Sequence, residues 1–99
     1  MTEHIEIEPV GVMLKEDFLD DIGISVPKFA QAIGVTRQEI YKIISGDRKV
    51  SPEMSIRFGM FFGMSLGYWN RLQNDYDMRI AKREKLDQFK QSIKPMQVA

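Results

Sequence analysis

Between residues 26 and 44 the chain carries two short apolar periodicities separated by a glycine and a threonine, and this spacing restricts the fold more than any other feature. At roughly 100° per residue around a helix, Val26, Phe29 and Ile33 share one face of a first helix. Ala30 falls near that face and keeps bulk low where a neighbouring helix comes close. Gly34 follows the last apolar residue, where a chain leaving a helix turns through positive φ. Thr36 then offers a hydroxyl N-cap to a second helix, in which Ile40, Ile43 and Ile44 occupy one arc and Arg37, Gln38, Tyr41 and Lys42 the other. Two short helices in this register are the pattern of a helix-turn-helix.

The outer arc of the second helix holds the side chains that a major groove rewards. Arg matches guanine O6 and N7, Gln matches adenine N6 and N7, and Tyr and Lys serve bases or phosphates. The competing account is an ordinary amphipathic helix pair with a solvated polar face. Directly after the helix, Gly46-Asp47-Arg48-Lys49 forms a turn with two adjacent cations, placed either to meet a phosphate backbone or simply to face water.

Composition narrows the function classes. At 99 residues the chain is one domain by size, able to bury a modest core without disulfides or metals. It has no cysteine, which removes thiolate metal sites and a cysteine nucleophile, and its one histidine, His4, leaves little for histidine catalysis. With no glycine-rich phosphate loop either, an enzyme is not expected, nor is a metal, a cofactor or a small-molecule ligand. No apolar run approaches the ~18 residues of a membrane span, and the acidic N-terminus is unlike a signal peptide, so the expectation is a soluble cytoplasmic protein.

The formal net charge is zero, but it is unevenly spread. Residues 1–27 carry seven carboxylates against Lys15, an excess of six negative charges; residues 28–49 carry five cations against Glu39 and Asp47, an excess of three positive charges. The helix-turn-helix is thus the locally basic part of a neutral chain, with modest non-specific affinity for DNA.

Along the chain, Ile5 and Ile7 alternate with Glu6 and Glu8 before Pro9 and Gly11, suggesting a short extended arm over 1–11. A first helix is expected from about Val12 to Asp21, with Leu14, Phe18 and Ile22 on one face and Gly23 ending it. Ser25 and Pro27 open the next helix, and Ser51-Pro52-Glu53 opens a fourth. That fourth helix carries Met54, Ile56, Phe58, Met60, Phe61 and Phe62, all expected to be buried. Gly59 at its middle costs roughly 1 kcal/mol relative to Ala unless another helix approaches there. A fifth helix places Tyr68, Trp69, Leu72, Tyr76 and Ile80 near one stripe, which reads either as core or as a dimer seam. From Lys82 the spacing shifts to Leu86, Phe89 and Ile93, a helical tail over 81–99. The expected architecture is all-α: a five-helix, lambda-repressor-like helix-turn-helix domain over 12–80 between the arm and the tail.

These residues resemble the HigA antitoxins of the Xre/Cro-like helix-turn-helix group. The resemblance runs from about Gly11 to Arg79. It rests on Gly11-Val12-Met13-Leu14-Lys15-Glu16-Asp17-Phe18-Leu19, on Gly23-Ile24-Ser25, on the helix-turn-helix, and on Phe62 to Asp77, where the string Trp69-Asn70-Arg71-Leu72-Gln73-Asn74-Asp75-Tyr76-Asp77 is the narrowing part. The family usually shows His-Pro-Gly-Glu where this chain has Pro9-Val10-Gly11-Val12, and favours Ala where Gly59 stands. The resemblance implies an antitoxin that pairs with a small basic mRNA-cleaving toxin of the RelE-like type and represses its own operon as a dimer.

On this reading two copies of the helix beginning at Thr36 enter successive major grooves about 34 Å apart on a palindromic operator. Arg37, Gln38, Tyr41 and Lys42 are the expected base contacts, and Thr36, Gln31, Arg48 and Lys49 the expected phosphate contacts. Tyr68, Trp69, Leu72 and Tyr76 are candidates for the homodimer seam. Asp17, Asp20 and Asp21 are candidates for toxin contact, because an acidic surface attracts a basic ribonuclease, although a solvated acidic helix face explains them equally well. Two alternatives stand beside it: a stand-alone or phage-type repressor without a toxin, and a protein-binding antitoxin that does not bind DNA.

Overall fold

Ser25, Thr36 and Ser51 each sit in extended backbone and accept a hydrogen bond from the amide three residues on, so three helix starts are set by local hydroxyl chemistry. In the computed structural model, which describes residues 7–97, five helices follow. Helix α1 spans residues 10–22, α2 Val26–Ile33, α3 Arg37–Ser45, α4 Pro52–Phe62 and α5 Tyr68–Ser92. There is no strand among the described residues, and the all-α, five-helix expectation holds. The core is built from Leu14 and Leu19 of α1, Phe29 of α2, Ile40 and Ile43 of α3, Val50, Phe58 of α4 and Trp69 of α5.

Helix α1 departs from the expected spacing. It is α-helical over Val10–Met13 and Asp20–Ile22 but π-helical over Leu14–Leu19, where the Asp20 amide donates to the Lys15 carbonyl five residues back. The wider turns shift the phase of the buried stripe. Leu14 and Leu19, five apart, are both fully buried, whereas Ile22, expected on the inner face, is 56% exposed. The same segment aims Phe18 at the core, with its ring centroid 4.9 Å from those of both Phe62 and Trp69.

Two expected boundaries move. Helix α1 begins at Val10, so Val10 and Gly11 are helical and buried instead of belonging to an arm; His4, Ile5 and Glu6 lie outside the described residues. Helix α5 runs without a break past Ile80 to Ser92, and the expected tail is its continuation, exposed throughout residues 81–97. At 1.5 Å per residue this helix is about 37 Å long, of which only the first half packs on the body.

Helix α4 buries less than its composition suggested. Met54 and Phe58 face inward, but Ile56, Met60 and Phe61 are exposed, because a helix with one packed side turns part of any dense apolar run to water. Gly59 has a packing reason, though the approaching element is a loop and not a helix: a Cβ there would stand 3.0 Å from both the Leu66 Cα and the Ser65 carbonyl oxygen. The buried Ser55 stitches the same crossing, donating to the Leu66 carbonyl at 2.6 Å and accepting from the Asn70 amide at 3.0 Å.

Among the glycines, the tightest crossing joins α1 to α3. A Cβ on Gly11 would fall 1.9 Å from the Ile43 carbonyl oxygen and 2.4 Å from the Ile44 Cα, so the two helices meet backbone to backbone. No side-chain rotamer relieves such an overlap. Gly11→Ala is therefore expected to destabilise the chain by more than about 3 kcal/mol, beyond the usual range for overpacking, as read by urea unfolding. A loss under about 1 kcal/mol would show that α1 moves off α3 at little cost.

Candidate nucleic-acid interface

The turn between α2 and α3 is closed from several sides. Gly34 takes the left-handed conformation at φ 76°, which brings the Val35 amide within 3.0 Å of the Ala30 carbonyl, five residues back. From α4, Arg57 donates to the Ile33 carbonyl at 2.6 Å and satisfies the end of α2. Helix α3 then starts on a reciprocal cap: the Glu39 amide donates to Thr36 Oγ1 at 3.2 Å and the Thr36 amide to Glu39 Oε2 at 2.9 Å. The Thr36 amide is the main reason the Glu39 carboxyl sits below the usual carboxylate range, aided by the Thr36 hydroxyl, Arg48 and Arg57 and opposed by partial burial.

With Ile40 and Ile43 buried beneath it and Gly11 against its back, α3 presents a fixed outer arc. Arg37, Gln38, Tyr41 and Lys42 are all exposed there, and none makes a side-chain hydrogen bond or ion pair among the described residues. Gln31 is exposed on α2, in the turn of helix that leads to Gly34. The arrangement offers a helix to a groove with its polar side chains uncommitted.

The expected phosphate contacts are in a different condition. The Thr36 hydroxyl is engaged in the cap, donating to Glu39 Oε2 at 3.2 Å while accepting from the Glu39 amide. Arg48 pairs with Glu39 Oε1 at 3.3 Å, and Lys49 pairs with Asp77 Oδ2 of α5 at 3.2 Å. Behind Lys49, the buried Gln73 accepts from the Val50 amide at 2.9 Å and donates to Asp77 Oδ1 at 3.0 Å. Gln73, Asp77 and Arg57 escape the sequence reading. Each acts through a partner 23 to 28 residues away along the chain, for which helical periodicity carries no signal.

Elsewhere, Asp17, Asp20 and Asp21 are exposed on α1, with Asp20 paired to Lys15. Asp17 opens on a groove of about 450 Å³ between α1 and α5, lined also by Leu72, Tyr76, Asp75 and Arg79. Of the four dimer-seam candidates, Trp69 is ruled out: it is 0% exposed, packed edge-on to Phe18 and Phe58 inside the core. Tyr68, Leu72 and Tyr76 pack on the core but keep part of their surface in water. Among the described residues no group of three metal-ligating side chains occurs, and no helix is long and apolar enough to cross a membrane.

Comparison with known proteins agrees with this geometry. The sequence profile described as Helix-turn-helix matches residues 17–69. Virulence-associated protein I of Dichelobacter nodosus is 28% identical over 75 residues, which is 76% of this chain and 69% of that protein. Antitoxin HigA-1 of Vibrio cholerae is 29% identical over 90 residues, which is 91% of this chain and 84% of that protein. The solved structure of Pseudomonas aeruginosa antitoxin HigA with the higBA promoter superposes at a TM-score of 0.87 and 28% identity, covering 93% of this chain and all of that one. The resemblance to HigA antitoxins is borne out.

The cap at Thr36 has a pH signature. A carboxyl held below its ordinary range in the folded chain contributes stability that is complete above that range and is lost as the pH falls through the lowered value. Thr36→Ala is expected to cost about 1 kcal/mol at neutral pH by urea unfolding. Glu39→Gln, which still completes the cap, is expected to flatten the decline of stability on acidification. An unchanged acid limb in Glu39→Gln would locate the pH dependence elsewhere.

Proposed function

The chain belongs to the helix-turn-helix family, a DNA-binding regulator fold and not an enzyme, and we propose that it acts as a HigA-type antitoxin that represses its own operon. The observation that carries this reading is the outer arc of α3: Arg37, Gln38, Tyr41 and Lys42 exposed and uncommitted on a helix locked at its cap, beneath it and behind it. Preorganised polar side chains on a rigid helix lose little freedom on entering a groove, and bidentate Arg and Gln contacts discriminate between bases. That a HigA relative is solved with its promoter supports the operator as target.

Two copies acting together fit the same picture. A homodimer places two α3 helices about 34 Å apart on a palindromic site. Tyr68, Leu72 and Tyr76, half-buried along α5, supply apolar surface for such a seam. The second partner in this proposal is a RelE-like mRNA-cleaving toxin, and its complement is the acidic face of α1. Asp17 and Asp21, unlike Asp20, have no cation paired to them among the described residues. Both activities belong to the cytoplasm.

Gel shifts with the duplex upstream of the chain's own reading frame test the DNA half. Arg37→Ala is expected to cost about 1 to 3 kcal/mol on that duplex and to relax the choice of one base pair. Equal losses on operator and random DNA would remove Arg37 as a base reader, and no preference for the upstream duplex in the native chain would overturn the repressor reading. For the toxin half, co-purification with the basic product of the adjacent gene is the readout. Neutralising Asp17, Asp20 and Asp21 together is expected to weaken it and reduce its salt dependence.

A further inference from the structure

Lys49 stands on the turn that follows α3, where a DNA-docked helix would bring it towards a phosphate, yet its ammonium already has an anion. Asp77 meets it from α5 at 3.2 Å, 28 residues further along the chain. An exposed ion pair is ordinarily worth little, because both side chains give up freedom to hold it. This one is different on the carboxylate side. Asp77 is two-thirds buried, and its other oxygen is held at 3.0 Å by Gln73 Nε2. Gln73 is itself 7% exposed and fixed by the Val50 amide at 2.9 Å. The anion is therefore tethered to the backbone of the turn that carries the cation, and only Lys49, 73% exposed at its side chain, is free to leave.

We propose that Asp77 is a specificity-determining residue for DNA: an in-chain stand-in for phosphate that keeps Lys49 off random duplexes and releases it only where α3 is seated on its operator. The inference rests on the DNA-binding reading above. Random DNA is held by phosphate contacts alone, and each such contact must outcompete whatever already neutralises the cation. In random complexes Lys49 stays on Asp77 and displaces no DNA counterion. On the operator, base contacts by the α3 arc hold the turn against the backbone, and the exchange of carboxylate for phosphate is driven by groups outside the pair. Asp77 thus lowers affinity for the wrong sequences more than for the right one. A neutral chain with a small basic surface gains discrimination this way without added charge.

The test uses the full chain with Asp77→Asn, Lys49→Ala and the double variant, against the upstream duplex and a random duplex of the same length over a range of salt. Asn keeps an acceptor for Gln73 and a similar shape, and each variant is checked for unchanged thermal unfolding. Asp77→Asn is expected to tighten random-duplex binding about 3- to 10-fold and to steepen its logarithmic salt slope by about one, while the upstream duplex gains less. Lys49→Ala is expected to weaken the upstream duplex and leave the random one nearly unchanged. In the Lys49→Ala background, Asp77→Asn is expected to have no effect. Random-duplex affinity and slope unmoved by Asp77→Asn would overturn the proposal, as would an equal gain in the Lys49→Ala background, which would reduce Asp77 to a general negative charge. Should Asp77→Asn lower the unfolding temperature, the contrast between the two duplexes for Lys49→Ala decides alone: equal losses on both overturn it. Failure of the native chain to prefer its upstream duplex is a separate outcome that removes the DNA-binding reading itself.

Discussion

The backbone contact between Gly11 and Ile43 is the constraint on which the working surface depends. Helix α3 is only Arg37–Ser45, too short to hold its own orientation by helical propensity. Its inner residues Ile40 and Ile43 seat it in the core, but apolar side chains alone tolerate a degree of sliding. A glycine crossing at which no Cβ fits sets the distance and the azimuth together, leaving the outer arc a single presentation. The cap at Thr36 fixes the N-terminal end of the same helix, and Arg57 closes the carbonyl end of α2 just before it.

Much of this was legible in the sequence where the physics is local. Ser25, Thr36, Ser51 and Gly34 specify starts and stops through hydrogen bonds spanning three to five residues, so α2, α3 and α4 stand where their caps put them. The π-helical stretch of α1 was not legible. A 3.6-residue period selects Leu14, Phe18 and Ile22, whereas the wider turn buries Leu19 and carries Phe18 onto Trp69 and Phe62, rings that lie far along the chain and leave no mark on the local spacing. Trp69 shows a second limit. A stripe at helical spacing marks the side of a helix that leaves water, but whether the neighbour is the same chain or another is decided by what else fills the interior.

The two departures from the HigA pattern now have physical content. Where that family shows His-Pro-Gly-Glu, this chain keeps the glycine, and Gly11 is the residue that α3 crosses. At Gly59, where the family favours Ala, the Ser65–Leu66 backbone lies at a distance that crowds a methyl group. Ser55 hydrogen bonds to the same loop and to the first turn of α5. The string from Trp69 to Asp77 is the structural link of the molecule: Trp69 enters the core, Gln73 holds the Val50 amide, and Asp77 holds Lys49.

That link changes how a chain of zero net charge is to be understood as a DNA binder. Counting residues 28–49 suggests a basic surface with a surplus of three charges, but two of its five cations are already answered, Arg48 by Glu39 and Lys49 by Asp77. Of the other three, Lys28 lies on α2, and on the α3 arc itself only two of the four uncommitted side chains, Arg37 and Lys42, are charged. Bulk attraction to a polyanion is correspondingly small, so discrimination falls on groups that read base edges. A surface of this kind gives up the reach of long-range charge and in return binds few sequences well. On the proposed reading, in which the acidic α1 face meets a basic toxin, that balance has a second use: strong positive potential around α3 would offset the negative potential that attracts such a partner.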